Sequence, residues 1–313
     1  MRCFFAFLLA CCMLVMILSE ARAEGPRILV IPKGVRVQHW KWVRQGAMQA
    51  GEERGAEVIF RGPRESDDYM AQLQIIKNGI EDGVDAMVIA PSHDTHAKDL
   101  LEVAAHKGIK VVIIDSDMEF EPRVSFVSSD NYQAGKRAGT YLFSLLPDGG
   151  SVILLRYMEN NASTLAREQG FLDAVPPFPL SIRIIDAGYV GVSAGNGYYK
   201  TLELFREHPE AVAVFSPGEI TTVGMLKAVK ELGLAGKVVV VGFDYTKEIH
   251  ESLATGLLQG AMIQIPYEMG YQGVMAACDA FEGKPVAKRI VTETVLVKDL
   301  EDLKAIKGIG RLQ

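Results

Sequence analysis

Two valine-rich runs in this chain each end on an aspartate, and they constrain its fold more than any other feature. The runs extend from Val111 to Asp115 and from Val238 to Asp244. Short, nearly continuous β-branched runs predict strands of a parallel sheet that is covered on both faces. Ligands of such sheets bind just beyond the carboxyl ends of the strands, where an acidic side chain can accept hydrogen bonds from them. The pattern therefore predicts two α/β units, each presenting a carboxylate to a shared cleft.

The amino-terminal residues have the pattern of a secretory signal peptide. Arg2 precedes an apolar run from Cys3 to Leu18, and Ala21 to Ala23 supply small residues around a cleavage site. The run is short for a membrane span, and an uncleaved anchor is the alternative. A lipoprotein-like stretch, Leu8 to Cys11, lies inside the apolar run, so cleavage after Ala23 fits better. We expect residues 1–23 to be removed and the mature protein to be periplasmic.

Charge and cysteine content narrow the class of protein. The chain has 33 basic and 39 acidic residues, a formal net charge of -6. This balance disfavours nucleic acid as a partner, because phosphate binding needs clustered Lys and Arg. Of the cysteines, only Cys278 lies beyond residue 23. We therefore expect an exported protein without internal disulfides, which is stabilised by ordinary apolar cores.

Strand patterns alternate with helical patterns along the rest of the chain. The first predicted strand is Arg27 to Ile31, and the alternation restarts after Val124 to Ser128. The restarted series ends with the strand that carries Asp244, and no low-complexity linker interrupts it. Two successive βα series predict an α/β fold with two doubly wound, Rossmann-like parallel sheets.

Five short stretches occur in a specific order along this alternation. They are Ile113 to Asp115, Val127 to Asn131, Ala166 to Phe171, Val240 to Asp244 and Ile263 to Pro266. With these stretches the chain resembles the exported sugar-binding proteins of the ribose-binding type, the soluble receptors of bacterial ABC importers. The resemblance implies the type I periplasmic binding protein fold, with two lobes joined by three crossings near Ser129, Gln264 and Thr292. The amino-terminal lobe would then contain residues 24–129 and 265–292, and the carboxy-terminal lobe residues 130–264 and 293–313.

The resemblance also implies ligand contacts at matching positions. Asp115, Arg167, Asp244 and Gln264 fall where ribose-binding-like proteins hold sugar hydroxyls. The chemistry is suitable, because carboxylates accept from hydroxyls, Arg donates in a fixed fork and Gln does both. Such proteins also place aromatic rings against the sugar in the first loop between strand and helix. In this chain His39 and Trp40 take those places.

Three positions depart from the ribose-reading pattern. Ser116 stands where these receptors have arginine, Gly218 stands where they have asparagine, and Val37 replaces a second asparagine. Lys33 and Glu219 are expected to add charge to the site. We therefore expect a roomier pocket at Ser116 and Gly218 that prefers a hexose, a cyclic polyol or a sugar derivative over ribose.

Each of these residues also has an ordinary structural interpretation. Asp115 and Asp244 could cap the loops that follow them, since Asp favours turns and helix starts. Arg167 could be an exposed residue in the first turns of its helix. Trp40 could be packed in the core, and Trp42 more so.

Two other motifs are weaker indications of chemistry. Gly191 to Gly195 matches the Gly-x-Ser-x-Gly nucleophile pattern, but Gly188 to Val190 separate it from the predicted strand, so Ser193 is better interpreted as a helix N-cap. His93 and His96 suggest a metal site, but no third strong ligand is evident nearby. A Walker loop and a Gly-x-Gly-x-x-Gly after a strand are absent from the sequence. We therefore expect no metal, no cofactor and no catalysis.

Two functions remain. The first is a solute receptor that binds a small carbohydrate or polyol, closes, and delivers it to the membrane permease of an ABC importer. The second is a sensory receptor of the same fold that presents its ligand to a membrane kinase or chemoreceptor. In either case we expect a monomer.

Overall fold

Twelve strands and ten helices alternate along the residues that this computed structural model describes, 25–177 and 181–306. The predicted signal peptide, residues 1–23, lies outside them, as do residues 307–313, which were predicted to belong to the carboxy-terminal lobe. The strands are β1 (Arg27–Ile31), β2 (Glu57–Phe60), β3 (Ala86–Ile89), β4 (Lys110–Ile114), β5 (Ser125–Ser129), β6 (Gly150–Arg156), β7 (Ile182–Tyr189), β8 (Ala211–Phe215), β9 (Val239–Phe243), β10 (Gly260–Gln264), β11 (Arg289–Thr292) and β12 (Thr294–Val297). The helices are α1 (Gln38–Arg54), α2 (Tyr69–Glu81), α3 (Lys98–His106), α4 (Asn131–Ser144), α5 (Ala162–Leu172), α6 (Ala194–Glu207), α7 (Glu219–Glu231), α8 (Lys247–Ala254), α9 (Pro266–Phe281) and α10 (Leu300–Ala305).

The strands form two six-stranded sheets with corresponding strand orders. The order is β2-β1-β3-β4-β5-β11 in the first sheet and β7-β6-β8-β9-β10-β12 in the second. All pairings are parallel except that of β12 with β10. Each sheet is doubly wound, and its strand order reverses beside the first strand of its series, which opens a crevice at the carboxyl ends. The predicted fold class is confirmed.

Helices cover both faces of each sheet because the strands are apolar on both sides. In the first lobe, α1 and α9 pack on one face, and α2 and α3 on the other. In the second lobe, α4 and α5 cover one face, and α6, α7, α8 and α10 cover the other. Two apolar layers per lobe hold the sheets rigid, so their strand ends are fixed platforms for a site.

The chain passes between the lobes three times. It leaves β5 at Ser129 for α4, leaves β10 at Gln264 for α9, and runs from β11 into β12 through Glu293. Ser129 and Thr292 lie side by side at two of these crossings, with their hydroxyl oxygens 3.2 Å apart. Three short segments therefore join the lobes, as predicted.

Trp42 links the two lobes through an apolar contact. It belongs to α1 of the first lobe, yet it packs within the core of the second, with its ring centroid 5.9 Å from that of Tyr245. Only 3% of its surface is exposed. The prediction that Trp42 is packed in a core is therefore correct, but the core is that of the opposite lobe.

Candidate functional site

The two strand-end aspartates share an uncommon backbone conformation. Asp115 follows β4 with φ 64°, and Asp244 follows β9 with φ 67°; among the described residues they are the only non-glycine residues with positive φ. Asp tolerates this left-handed region better than most residues, at some cost in strain. In each case the backbone N–H still bonds to the neighbouring strand, to Val127 O at 3.0 Å and to Met262 O at 2.8 Å. The same turn therefore presents a carboxylate from each lobe to the cleft.

Lys33 pairs with the first aspartate. Its ammonium lies 2.6 Å from Asp115 Oδ2 and donates to Ser116 Oγ at 2.5 Å. It also approaches two groups of the opposite lobe, Asn161 Oδ1 and Ser163 Oγ, both at 3.4 Å. Lys33 is 4% exposed, so the ion pair is buried. One cation therefore contacts both lobes.

Arg167 and Gln264 surround the second aspartate. Gln264 Nε2 donates to Asp244 Oδ1 at 2.6 Å, and Arg167 lies 3.8 Å from Asp244 Oδ2. The guanidinium also donates to Asn131 Oδ1 and Pro217 O and lies 4.4 Å from the centre of the Phe243 ring. Arg167 is buried, so the alternative that it is a surface residue is wrong.

Both aspartates were also candidates for simple capping roles. Asp115 accepts from side chains, Lys33 and Ser116, which argues against a capping role. Asp244 also accepts from the backbone N–H of Glu219 at 3.2 Å, at the start of α7. The capping interpretation therefore holds in part for Asp244. It caps α7, however, and not the loop that follows Asp244 in the sequence.

Two buried polar atoms of residues that surround the space between these clusters have no hydrogen-bond partner among the described residues. They are His39 Nε2 and Gln264 Oε1. His39 Nε2 lies 3.8 Å from Asp115 Oδ1, beyond hydrogen-bond distance. The Trp40 ring packs edge to face with the His39 ring, at 4.7 Å between centroids, and it also belongs to the core beneath α1. A buried polar atom left unpaired costs free energy, so this space suits a polar ligand.

Glu219 reaches across the cleft from the second lobe. Its carboxylate oxygens accept from the backbone N–H groups of Gln38 at 3.2 Å and His39 at 3.1 Å. These two N–H groups begin α1, whose N-cap residue Val37 offers no side-chain hydrogen bond. Glu219 therefore lines the cavity, with both of its oxygens bonded to the opposite lobe.

Nine of the ten predicted site residues line one cavity between the lobes. They are Lys33, His39, Trp40, Asp115, Arg167, Gly218, Glu219, Asp244 and Gln264. Ser116 is the tenth, and it lies behind the wall, where its hydroxyl bonds to Lys33, Asp115 and Ser163. Water-sized molecules have about 70 Å³ available to their centres. This exceeds the roughly 10 to 15 Å³ that a cavity needs to hold one water, so the space can hold a small polar molecule.

The cavity also contains residues that the sequence analysis did not assign to it. These are Val37, Ser66, Tyr157, Asn161, Ser163, Thr164 and Ile220. Asn161 caps α5 by accepting from the backbone N–H of Thr164, and Ser163 donates to Asn161 Oδ1 at 2.8 Å. An Asn N-cap between a buried strand and the helix that bears Arg167 was the available signal.

Burial and charge pairing control protonation in the cavity. Burial lowers the pKa of His39, which favours its neutral form. Burial alone would raise the pKa of Asp115, but Lys33 and the other nearby cations hold it below its ordinary value. The pKa of Lys33 is lowered by burial despite its contact with Asp115. Burial, together with the Asp244 carboxylate, raises the pKa of Glu219 to about 8.

The weaker motifs have structural explanations. β7 runs to Tyr189, so it ends closer to Ser193 than predicted, but Ser193 caps α6 through the N–H of Asn196. The rings of His93 and His96 stack at 3.6 Å, and the described residues contain no group of three or more side chains suited to hold a metal ion.

No helix in residues 25–177 or 181–306 combines the length and apolar character needed to cross a bilayer.

Comparison with known protein families supports this architecture. Residues 28–285 match the model of the periplasmic binding protein domain. The D-ribose/D-allose-binding protein of Pseudomonas aeruginosa is 27% identical over 292 residues, which cover 89% of this chain and 90% of that protein. The ribose import binding protein of Bacillus subtilis is 26% identical over 248 residues, 79% of each chain. These relatives are binding proteins, which confirms the prediction that the chain is not an enzyme.

Solved structures show the same fold. The periplasmic component of an ABC-type sugar transport system from Hahella chejuensis superposes with a TM-score of 0.84 at 32% identity, covering 88% of this chain and 100% of that one. A carbohydrate transporter solute-binding protein from Agrobacterium radiobacter, in complex with D-arabinose, gives a TM-score of 0.85 at 28% identity, covering 93% and 99%. The likeness spans both lobes in each case.

Proposed function

This chain belongs to the periplasmic binding protein family, and from that premise we propose that it binds a neutral monosaccharide or a polyol of similar size between its lobes. It then delivers this ligand to the permease of an ABC importer. The observation that carries the proposal is the cavity itself. Two cationic side chains pair there with two carboxylates, and among the described residues His39 Nε2 and Gln264 Oε1 have no hydrogen-bond partner.

The balance of charge favours a neutral ligand. Lys33 and Arg167 contribute two formal positive charges, and Asp115 and Asp244 two negative ones. Glu219, with a pKa of about 8, is mostly uncharged at neutral pH. A sugar acid or an amine would add an unpaired charge to a buried site, which is costly. A neutral sugar adds hydroxyls, which donate and accept in turn.

Each proposed contact uses a group that faces the cavity. Gln264 Oε1 requires a hydroxyl donor, and His39 Nε2 can donate to or accept from a hydroxyl according to its tautomer. Asp115 and Asp244 accept from hydroxyls, and Lys33 and Arg167 donate. Trp40 offers an apolar surface to the C–H face of a sugar ring.

The cavity wall has spare room at Gly218. A methyl group added there would meet nothing closer than 3.9 Å, the distance to Thr164 Cγ2. Ser116 is short and turned toward Lys33. These features support our expectation that a hexose or a substituted sugar is preferred over ribose.

Transport is favoured over sensing by the names of the relatives, which describe import binding proteins. Export of the mature chain to the periplasm would use the predicted signal peptide, and a monomer needs no partner subunit to complete this cavity.

A thermal-shift screen tests the proposal. D-Ribose, D-allose, D-arabinose, D-fucose, cyclic polyols and sugar acids would be added to the mature protein, and titration calorimetry would follow for each hit. We expect neutral hexoses or polyols to raise the melting temperature most. Preferential binding of a sugar acid, or of none of these compounds, would contradict the proposal.

A further inference from the structure

Glu219 is bonded in a way that a simple ligand contact does not require. It is the first residue of α7 in the second lobe, and its two carboxylate oxygens accept separately from two backbone N–H groups of the first lobe, those of Gln38 and His39. The first N–H groups of a helix have no partner within that helix. Val37 is the N-cap residue of α1, and its side chain makes no hydrogen bond to these N–H groups. Glu219 of the second lobe therefore supplies the cap that α1 of the first lobe lacks.

We propose that Glu219 is a positioning residue that caps α1 across the cleft only when the lobes are closed, and that its burial on closure makes it take up a proton. This inference rests on the proposed function and deepens it. The helix start that Glu219 holds carries His39 and Trp40, whose rings line the cavity. Glu219 therefore acts on the ligand through these two residues and through the closed arrangement of the lobes.

Burial and the charged groups around Glu219 determine whether its carboxyl group is protonated. On the cavity side the titratable groups are Lys33, His39, Asp115, Tyr157, Arg167 and Asp244. On the outer side they are Arg36, Arg64, Glu65, Tyr245, Lys247 and Glu248. Burial and the Asp244 carboxylate raise the pKa of Glu219 from its ordinary 4.5 to about 8, and the two N–H groups only partly oppose this rise. When the lobes separate, the carboxylate loses both the burial and the two bonds, so its pKa returns toward the ordinary value.

The sign of the effect follows from these two values. The closed form binds the proton more tightly than the open form, so closure gains free energy as pH falls from about 8 toward about 5. This gain disappears as pH rises through 8. Between pH 8.5 and pH 7.0 the dissociation constant should fall on the order of tenfold. His39 acts in the opposite direction below its ordinary value of 6.5, because burial lowers its pKa, so this interval avoids it.

Titration calorimetry of D-allose in buffers of different ionisation enthalpy measures the proton directly. At pH 7.5 the wild-type protein should take up about three quarters of a proton more per sugar bound than Glu219→Gln does. The amide keeps one acceptor of the two, so the variant should also bind about two- to tenfold more weakly. Glu231→Gln, the same change at the exposed far end of α7, should match the wild type. Equal proton counts in the wild type and Glu219→Gln would overturn the inference.

The inference and the proposed function can fail separately. If no neutral sugar or polyol of the screen binds, the proposed function fails, and the proton-linked cap is then tested on the unliganded protein. Its radius of gyration by small-angle scattering should then decrease between pH 8.5 and pH 7.0 in the wild type and not in Glu219→Gln. Identical pH profiles in the two proteins would overturn the proton-linked cap.

Discussion

Replacing Asp244 with asparagine should weaken sugar binding by about tenfold to about 150-fold. The carboxylate already accepts from Gln264 at 2.6 Å and from the N–H of Glu219 at 3.2 Å, with Arg167 at 3.8 Å. Asparagine keeps the shape and one acceptor but removes the charge. A hydrogen bond to a charged group contributes roughly 1.5 to 3 kcal/mol, and each 1.4 kcal/mol corresponds to a factor of ten.

The choice of asparagine separates binding from folding. Position 244 has φ 67°, which asparagine tolerates about as well as aspartate. Asp244→Ala should bind as weakly or more so, and it should lower the free energy of unfolding by about 1 to 2 kcal/mol more, because alanine is strained in this region. Comparing the two variants isolates the backbone contribution.

The assay is titration calorimetry with the sugar that binds most tightly in the screen, alongside thermal melts. Asp186→Asn is the matched control, since Asp186 is exposed on β7 and pairs only loosely with Arg156, at 3.4 Å. We expect the control to keep wild-type affinity. Wild-type affinity in Asp244→Asn, with an unchanged melting temperature, would remove Asp244 from the site and refute the reasoning.

Further predictions follow from the same contacts. Lys33→Met should lower the free energy of unfolding by about 3 to 5 kcal/mol at pH 7, because Asp115 becomes a buried carboxylate without its ion-pair partner; denaturant titrations should show a smaller loss as pH falls, because burial without Lys33 favours the protonated form of Asp115. Gly218→Ala should fold normally, since the φ of -156° at this position suits any residue. In calorimetry the variant should bind hexoses more weakly than the wild type does, with a smaller effect on pentoses. An equal loss of affinity for both would contradict the spare room at this wall. Small-angle scattering should show compaction on sugar binding; an unchanged radius of gyration, with binding confirmed by calorimetry, would contradict hinge closure. Amino-terminal sequencing of exported protein should begin at Glu24; retention of residues 1–23 would disprove the cleavage site.

The local sequence predicted the fold and the ends of the strands. Valine-rich runs and helical spacing are properties of neighbouring residues, so β4 and β9 and the aspartates after them could be located without the structure. The family-like stretches added Arg167 and Gln264, and both line the cavity. Whether these residues contact a ligand stays a prediction.

Only the tertiary structure decided which groups pair. Lys33 and Asp115 lie far apart in the sequence, and their ion pair depends on β1 and β4 ending at the same edge of one sheet. The cap of α1 by Glu219 and the packing of Trp42 in the second lobe depend on the closed position of the lobes. Periodicity describes which face of an element is apolar, whereas contacts across a cleft depend on the hinge, and no local pattern encodes that geometry.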